Sequence, residues 1–185
     1  MDKLIVAVRA TLAGLALAIL ASAAHAADTD WVYPAIPGFG KVMPYPNAAM
    51  QPGKDVEYKV VYNVTERGEP EKVNPALDKL ARAVNIFASA GVPVSKLHFI
   101  GVIHGPATPS VLDNEHYKER FNVDNPTLTI IEALEKAGVK IMVCGQALAH
   151  NKIATDWVNP KVELTLSAIT DLVLLQQQGY VFVQL

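Results

Sequence analysis

Cys144 is the only cysteine in the sequence, and it stands where a reactive thiol could be held. It follows the apolar run VKIMV and precedes Gly145, so a strand would end at the sulfur and the glycine would allow a tight turn after it. A helix that starts there would point its N-terminal amides at the sulfur, and helix N-termini lower thiol pKa values. A thiolate attacks sulfur or binds metal, but a lone cysteine at the end of an apolar strand is often an inert buried residue.

Three other residues are candidates for the surroundings of Cys144. His104 follows the apolar run LHFIGVI and could act as a cation or a proton relay if its strand lies beside that of the cysteine. Asn63 stands at the end of the first strand, and Gln146 would bring a main-chain amide toward the sulfur. These residues follow the carboxyl ends of predicted strands, where ligands bind in open parallel sheets.

Soft-metal binding by Cys144 with His104 or His150 is an alternative, because thiolate and imidazole suit copper and zinc. A single thiol excludes an internal disulfide framework and Cys-rich metal sites. The sequence has no G-x-G-x-x-G and no glycine-rich phosphate loop with lysine, so we expect no cofactor. The formal net charge of −2 argues against nucleic acid as the partner.

The first 26 residues have the pattern of a cleavable signal peptide. Lys3 and Arg9 precede an apolar stretch over 10–24, and Ala24-His25-Ala26 then offers a small-x-small cleavage site. The stretch is shorter than the roughly 20 residues of a spanning helix, and no later apolar run is long enough to cross a membrane. We therefore expect cleavage after Ala26, a periplasmic or secreted protein, and no membrane contact after cleavage.

Residues 27–55 differ in composition from the rest of the mature chain. Prolines alternate with glycines there, and proline blocks both helix and sheet pairing. The segment also carries several aromatic residues, so we expect an extended arm that packs on its own domain or on a neighbouring subunit. Residues 56–185 are then a single α/β domain.

Strand and helix patterns alternate over 56–185, which predicts a parallel sheet covered on both faces. The predicted strands cover 56–64, 97–103, 139–143, 162–166 and 180–185. The predicted helices run from Pro75 to Gly91, over 114–121, from Pro126 to Gly138, over 146–152 and over 168–178. Asn74 and Asn125 are the predicted N-caps of the first and the third. In the last helix we expect an inward face formed by Ile169, Leu172, Val173 and Leu175.

Several of these segments together resemble the DsrE/DsrF-like (DsrE/TusD) sulfur-relay family. They are KVVYNVT, LDKLARAVNIFASAGV, LHFIGVIHG, VKIMVCGQALAH and the C-terminal VELTLSAITDLVLLQQQGYVFVQL. The resemblance covers about 56–185 and implies a three-layer α/β/α sandwich with a five-stranded parallel sheet. It also implies a homo-oligomer, a trimer or a hexamer, and it matches Cys144 to the cysteine that accepts a persulfide in the family's carriers. The export signal is a departure from the well-studied carriers, which are cytoplasmic.

The resulting hypothesis is an exported sulfur carrier or sulfurtransferase that takes up sulfane sulfur as a persulfide on Cys144. A donor or acceptor protein for the sulfur would be its partner. The alternative is a non-catalytic, oligomeric binding or assembly module in which Cys144 is only a packed residue.

Overall fold

One parallel sheet forms the centre of the protein. The computed structural model describes residues 30–185, so the predicted signal peptide over 1–26 lies outside the described residues. The strands are β1 (Tyr58–Val64), β2 (Leu97–Ile103), β3 (Lys140–Cys144), β4 (Glu163–Thr165) and β5 (Val181–Gln184). Their order across the sheet is β4-β3-β2-β1-β5, and every neighbouring pair is parallel.

Five α-helices connect and cover these strands. They are α1 (Pro75–Ser89), α2 (Asn114–Phe121), α3 (Leu128–Lys136), α4 (Gly145–His150) and α5 (Ala168–Gln177). α1 starts as the sequence predicted, because the Asn74 side chain accepts hydrogen bonds from the next amides and Pro75 is already suited to the first helical position. None of the helices within 30–185 has the length and apolar character needed to cross a bilayer.

The two faces of the sheet are covered by different helices. α1 and α3 pack on one face around a large buried cluster that includes Leu80, Phe99 and Ile131. α5 packs on the other face, where a smaller cluster includes Val61 and Leu175 and Ala147 of α4 packs against it. The predicted three-layer α/β/α sandwich with a five-stranded parallel sheet is therefore confirmed.

The start of α3 was placed two residues too early. The sequence predicted Asn125 as the cap and Pro126 as the first helical residue, whereas α3 begins at Leu128. The Asn125 side chain instead accepts a hydrogen bond from the amide of Thr127 and donates to carbonyl oxygens of the preceding loop. Asn125 therefore forms a local turn that joins two loops, a common alternative use of this side chain.

The inward face predicted for α5 was partly wrong. Leu175 is buried and Leu172 is half-buried, but Ile169 is 78% exposed and Val173 is 51% exposed. Ala168 is buried in their place. Because α5 is apolar on nearly every side, the helical period of its sequence could not identify the face that meets the sheet.

The prediction that the proline-rich segment is extended was wrong over residues 30–43. There the segment folds back on itself through a pair of antiparallel hydrogen bonds between Val32 and Val42, at 2.9 and 3.0 Å. Asn85 of α1 accepts from two N–H groups of this loop at 2.9 Å and donates to three of its carbonyl oxygens at 2.9–3.4 Å. Gly40 lies so close to α1 that a Cβ atom would be 2.1 Å from the main-chain nitrogen of Arg82. The loop is thus fixed on its own domain.

Candidate functional site

Cys144 ends β3 and occupies the N-cap position of α4. Its Sγ atom accepts a hydrogen bond from the amide of Ala147 at 3.4 Å. The residue is only 5% exposed, because it packs in the same cluster as Ala168, with Leu172 against that cluster. The sequence predicts a reactive sulfur at the open edge of the sheet. The sulfur faces a main-chain amide as expected, but α5 covers most of it.

Gly145 is required by the close approach of two chain segments. A Cβ atom on this residue would lie 2.8 Å from the carbonyl oxygen of Thr165, a distance that real Cβ contacts essentially never show. The turn after the sulfur therefore packs directly on the end of β4. The Gln146 side chain is also directed there, since its Nε2 atom donates to the carbonyl oxygen of Leu166 at 3.2 Å.

His104 lies beside Cys144 in the sheet. Ile103 pairs with Val143 in the β2–β3 ladder, so the next residue of each strand is at the same level. His104 keeps extended geometry, and its amide still donates to the carbonyl oxygen of Val64 in β1 at 3.1 Å. Side chains alternate along strands, which puts His104 and Cys144 on the face that α5 covers.

A chain of side-chain hydrogen bonds fixes the orientation of His104. Gln184 in β5 donates through Nε2 to two main-chain carbonyl oxygens and to Thr65, so its Oε1 atom must be the acceptor at 2.6 Å from Asn63 Nδ2. Asn63 therefore presents Oδ1 to His104 Nε2, at 2.6 Å. An amide oxygen accepts only, so Nε2 carries the proton and Nδ1 of the neutral ring has the lone pair.

The free nitrogen of His104 is open to solvent. Nδ1 makes no hydrogen bond with another residue of 30–185, and none of the buried side-chain N or O atoms in that range lacks a partner. Partial burial lowers the pKa of His104 below its usual value, because desolvation disfavours the charged ring. At neutral pH the ring is therefore uncharged and can accept a proton at Nδ1.

A carboxylate lies on the other side of the cysteine. Thr165 pairs with Cys144 in the β3–β4 ladder, and its hydroxyl is 2.5 Å from Oδ2 of Asp171 in α5. Sequence reasoning missed both residues, and it also missed Gln184. Each is polar and stands at or beyond the carboxyl end of a predicted strand, which is the signal that could have found them. The candidate residues came only from the ends of the first three strands.

The other histidine proposed as a metal ligand is not part of this arrangement. His150 is exposed in the last turn of α4, and its ring makes no hydrogen bond with another of the described residues. Within residues 30–185, no group of three or more His, Cys, Asp and Glu side chains is placed to hold a metal ion.

The outer face of α5, next to this site, is apolar. Four side chains on it and on the loop before it are at least half exposed, and we call them the α5 surface: Leu166, Ile169, Val173 and Leu174. Asp171 is the only charged residue of the helix. Exposed apolar groups that cluster in this way are typical of a surface that contacts another molecule.

Comparison with known proteins connects this chain to one family. The family model described as DsrE/DsrF-like matches residues 59–185, from the second residue of β1 to the last residue of the sequence. A solved structure of a protein of unknown function from Methanobacterium thermoautotrophicum is similar, with a TM-score of 0.49 and 12% sequence identity. That similarity covers 70% of this chain and 100% of the other. The curated proteins include no match.

Proposed function

The chain belongs to the DsrE/DsrF-like family, and on that premise we propose that it is an exported sulfur carrier with Cys144 as its acceptor. Family membership suggests a role in sulfur relay. The proposal adds the residue, the chemical form of the sulfur and the compartment, which is the periplasm or the medium. The observation that carries it is the position of the only thiol, at the end of β3 with a main-chain N–H on its sulfur.

The reaction is a transfer of sulfane sulfur without net oxidation. The Cys144 thiolate attacks the terminal sulfur of a donor R–S–S⁻, a new S–S bond forms at Sγ, the donor S–S bond breaks, and R–S⁻ leaves. His104 is the candidate base for the thiol proton, because its Nδ1 atom accepts and its ring is neutral. The Ala147 amide at 3.4 Å supports the anionic sulfur.

Burial of the sulfur limits which donors can react. A residue that is 5% exposed admits small inorganic polysulfides more readily than a bulky organic disulfide, unless α5 moves. The same burial protects a lone thiol outside the cytoplasm, where exposed thiolates are oxidised to sulfenic and higher acids. A covered sulfur is therefore compatible with export.

Intact-mass measurement after incubation with inorganic polysulfide tests the proposal. Since the sequence has one cysteine, the wild-type protein should gain the mass of one sulfur atom, and dithiothreitol should remove it. Cys144→Ser is the matched control and should gain nothing. An unchanged wild-type mass, or the same gain on Cys144→Ser, would end the proposal.

A non-catalytic assembly module is the second candidate, and the burial of Cys144 is the observation that favours it. In that case the thiol is a packing group and should resist iodoacetamide in the folded protein as strongly as it resists polysulfide. Alkylation only in urea, together with no persulfide, would support this second function.

The α5 surface supports the formation of a homo-oligomer, and we infer that a second copy of the chain covers it. Its four apolar side chains are 51–78% exposed, and burying such a side chain fully is worth about 1.5–3 kcal/mol. Light scattering should find a trimer or a hexamer in the wild-type protein and a smaller species for Ile169→Asp. Gln177→Asp adds the same charge at an exposed polar position of the same helix and should leave the assembly intact. A wild-type monomer would refute the inference.

A further inference from the structure

A small cavity separate from Cys144 lies at the carboxyl edge of the sheet. It has a volume of about 140 Å³ and is formed by the loop after β1, the loop after β2, and α2. Asn151, just after α4, also lines it, so the full length of α4 separates the cavity from Cys144. In open α/β sheets this edge is where ligands bind.

Three cationic side chains line the cavity. Arg67 and Arg120 are not within ion-pair distance of any carboxylate of residues 30–185. The Arg120 guanidinium donates to the carbonyl oxygen of Asn151 at 3.4 Å and lies over the Phe121 ring, 5.8 Å from its centroid. Lys72 is 2.7 Å from Glu69, which is also in the lining and is its one carboxylate. Two guanidinium groups thus remain without a counter-ion at one small cavity.

Two buried hydroxyl groups in the same lining have a proton to donate. Ser110 is 7% exposed and Thr127 is 2% exposed. Asn74 donates to both oxygens, through Nδ2 to Ser110 at 3.0 Å and through its main-chain N to Thr127 at 3.2 Å. Neither hydroxyl donates to another residue of the described chain. A hydroxyl that already accepts still has its O–H to give, so the site combines two buried donors with two free cations.

We propose that this cavity binds a small oxyanion of the sulfate type, such as thiosulfate, sulfate or phosphate. The two free guanidinium groups and the two free O–H groups of the lining fit a ligand that accepts hydrogen bonds through several oxygen atoms, and guanidinium groups match the oxygen atoms of such ions. The volume equals that of about four or five liquid water molecules at about 30 Å³ each, which fits an ion of this size. The inference goes beyond the proposed function, because it does not use Cys144.

Calorimetric titration of the full protein tests this site. Sodium thiosulfate, sulfate and phosphate are titrated separately, with chloride keeping the ionic strength constant. At least one ion should bind saturably at one site per chain, and the ion that binds most tightly identifies the preferred ligand of the cavity. Arg67→Gln and Arg120→Gln should each weaken that binding about tenfold, which corresponds to the loss of one charged contact.

Two control variants make the result specific. Lys136→Gln removes an exposed cation of α3, outside the cavity, and should bind the ion as the wild type does. Cys144→Ser should also bind normally, which separates this inference from the sulfur-carrier proposal. No saturable binding of any of the three ions, or equal binding by Arg67→Gln and the wild type, would overturn the inference.

Discussion

Replacing Gly145 by alanine should destabilise the protein, because the turn after the sulfur has no room for a Cβ atom. The added atom would lie 2.8 Å from the Thr165 carbonyl oxygen, which is main chain and cannot rotate away. Forcing a methyl group into such a contact costs about 1–3 kcal/mol. Alanine recovers up to about 1 kcal/mol, because glycine disfavours a helical position. With the contact at the middle of its range, about 2 kcal/mol, the expected net loss is about 1–2 kcal/mol.

Urea unfolding followed by circular dichroism measures this effect. The midpoint should fall with an unchanged m value, and the melting temperature should drop by about 2–8 °C. Ala149→Ser, at an exposed position of the same helix, is the control and should stay within about 0.5 kcal/mol of the wild type. A Gly145→Ala protein as stable as the wild type, or more stable, would show that β4 does not lie against this turn.

Three further predictions concern the histidines, the arm and the signal. By NMR, His104 should titrate below about 6.5 and His116 above it, because burial lowers the first pKa and hydrogen bonding to an aspartate raises the second. The stability that neutral His104 contributes is then lost as the pH falls from about 6.5 through its folded pKa. The stability that protonated His116 contributes is lost as the pH rises through its folded pKa. The opposite order of the two pKa values would contradict the site geometry. Asn85→Ala should lose about 3 kcal/mol in urea and expose the arm to protease, because several buried hydrogen bonds disappear. Equal protease resistance to the wild type would refute that contact. Protein recovered from the periplasm or the medium should begin at Ala27, whereas an intact Met1 would refute cleavage.

The sheet and most helices could be predicted because their signals are local. LHFIGVI is apolar at nearly every position and forms a strand over the predicted residues, and Asn74 with Pro75 begins α1 as expected. Asn125 with Pro126 repeats that pattern, yet its side chain is used by a loop that is distant in sequence. The local pattern was the same at both positions, and only tertiary contacts decide that the first begins a helix and the second forms a turn.

The site was predictable only where chain order reflects sheet order. β2 and β3 are neighbours, so His104 and Cys144 follow paired residues at the same edge of the sheet, the arrangement for which the sequence made His104 a candidate. β5 lies at the far edge beside β1, and only that crossover brings Gln184 to Asn63. The sequence also did not predict that α5 covers the sulfur, because α5 is apolar on nearly all sides and only the structure identifies the face that packs on the sheet.

Cyanide treatment of the polysulfide-loaded protein tests the central claim most directly. Cyanide attacks the outer sulfur of a persulfide, releases thiocyanate and regenerates the thiolate. A sulfur carrier should release one thiocyanate per chain, and Cys144→Ser should release none. No thiocyanate from loaded wild-type protein, or the same amount from the serine variant, would contradict the assignment of Cys144 as the acceptor of transferable sulfur.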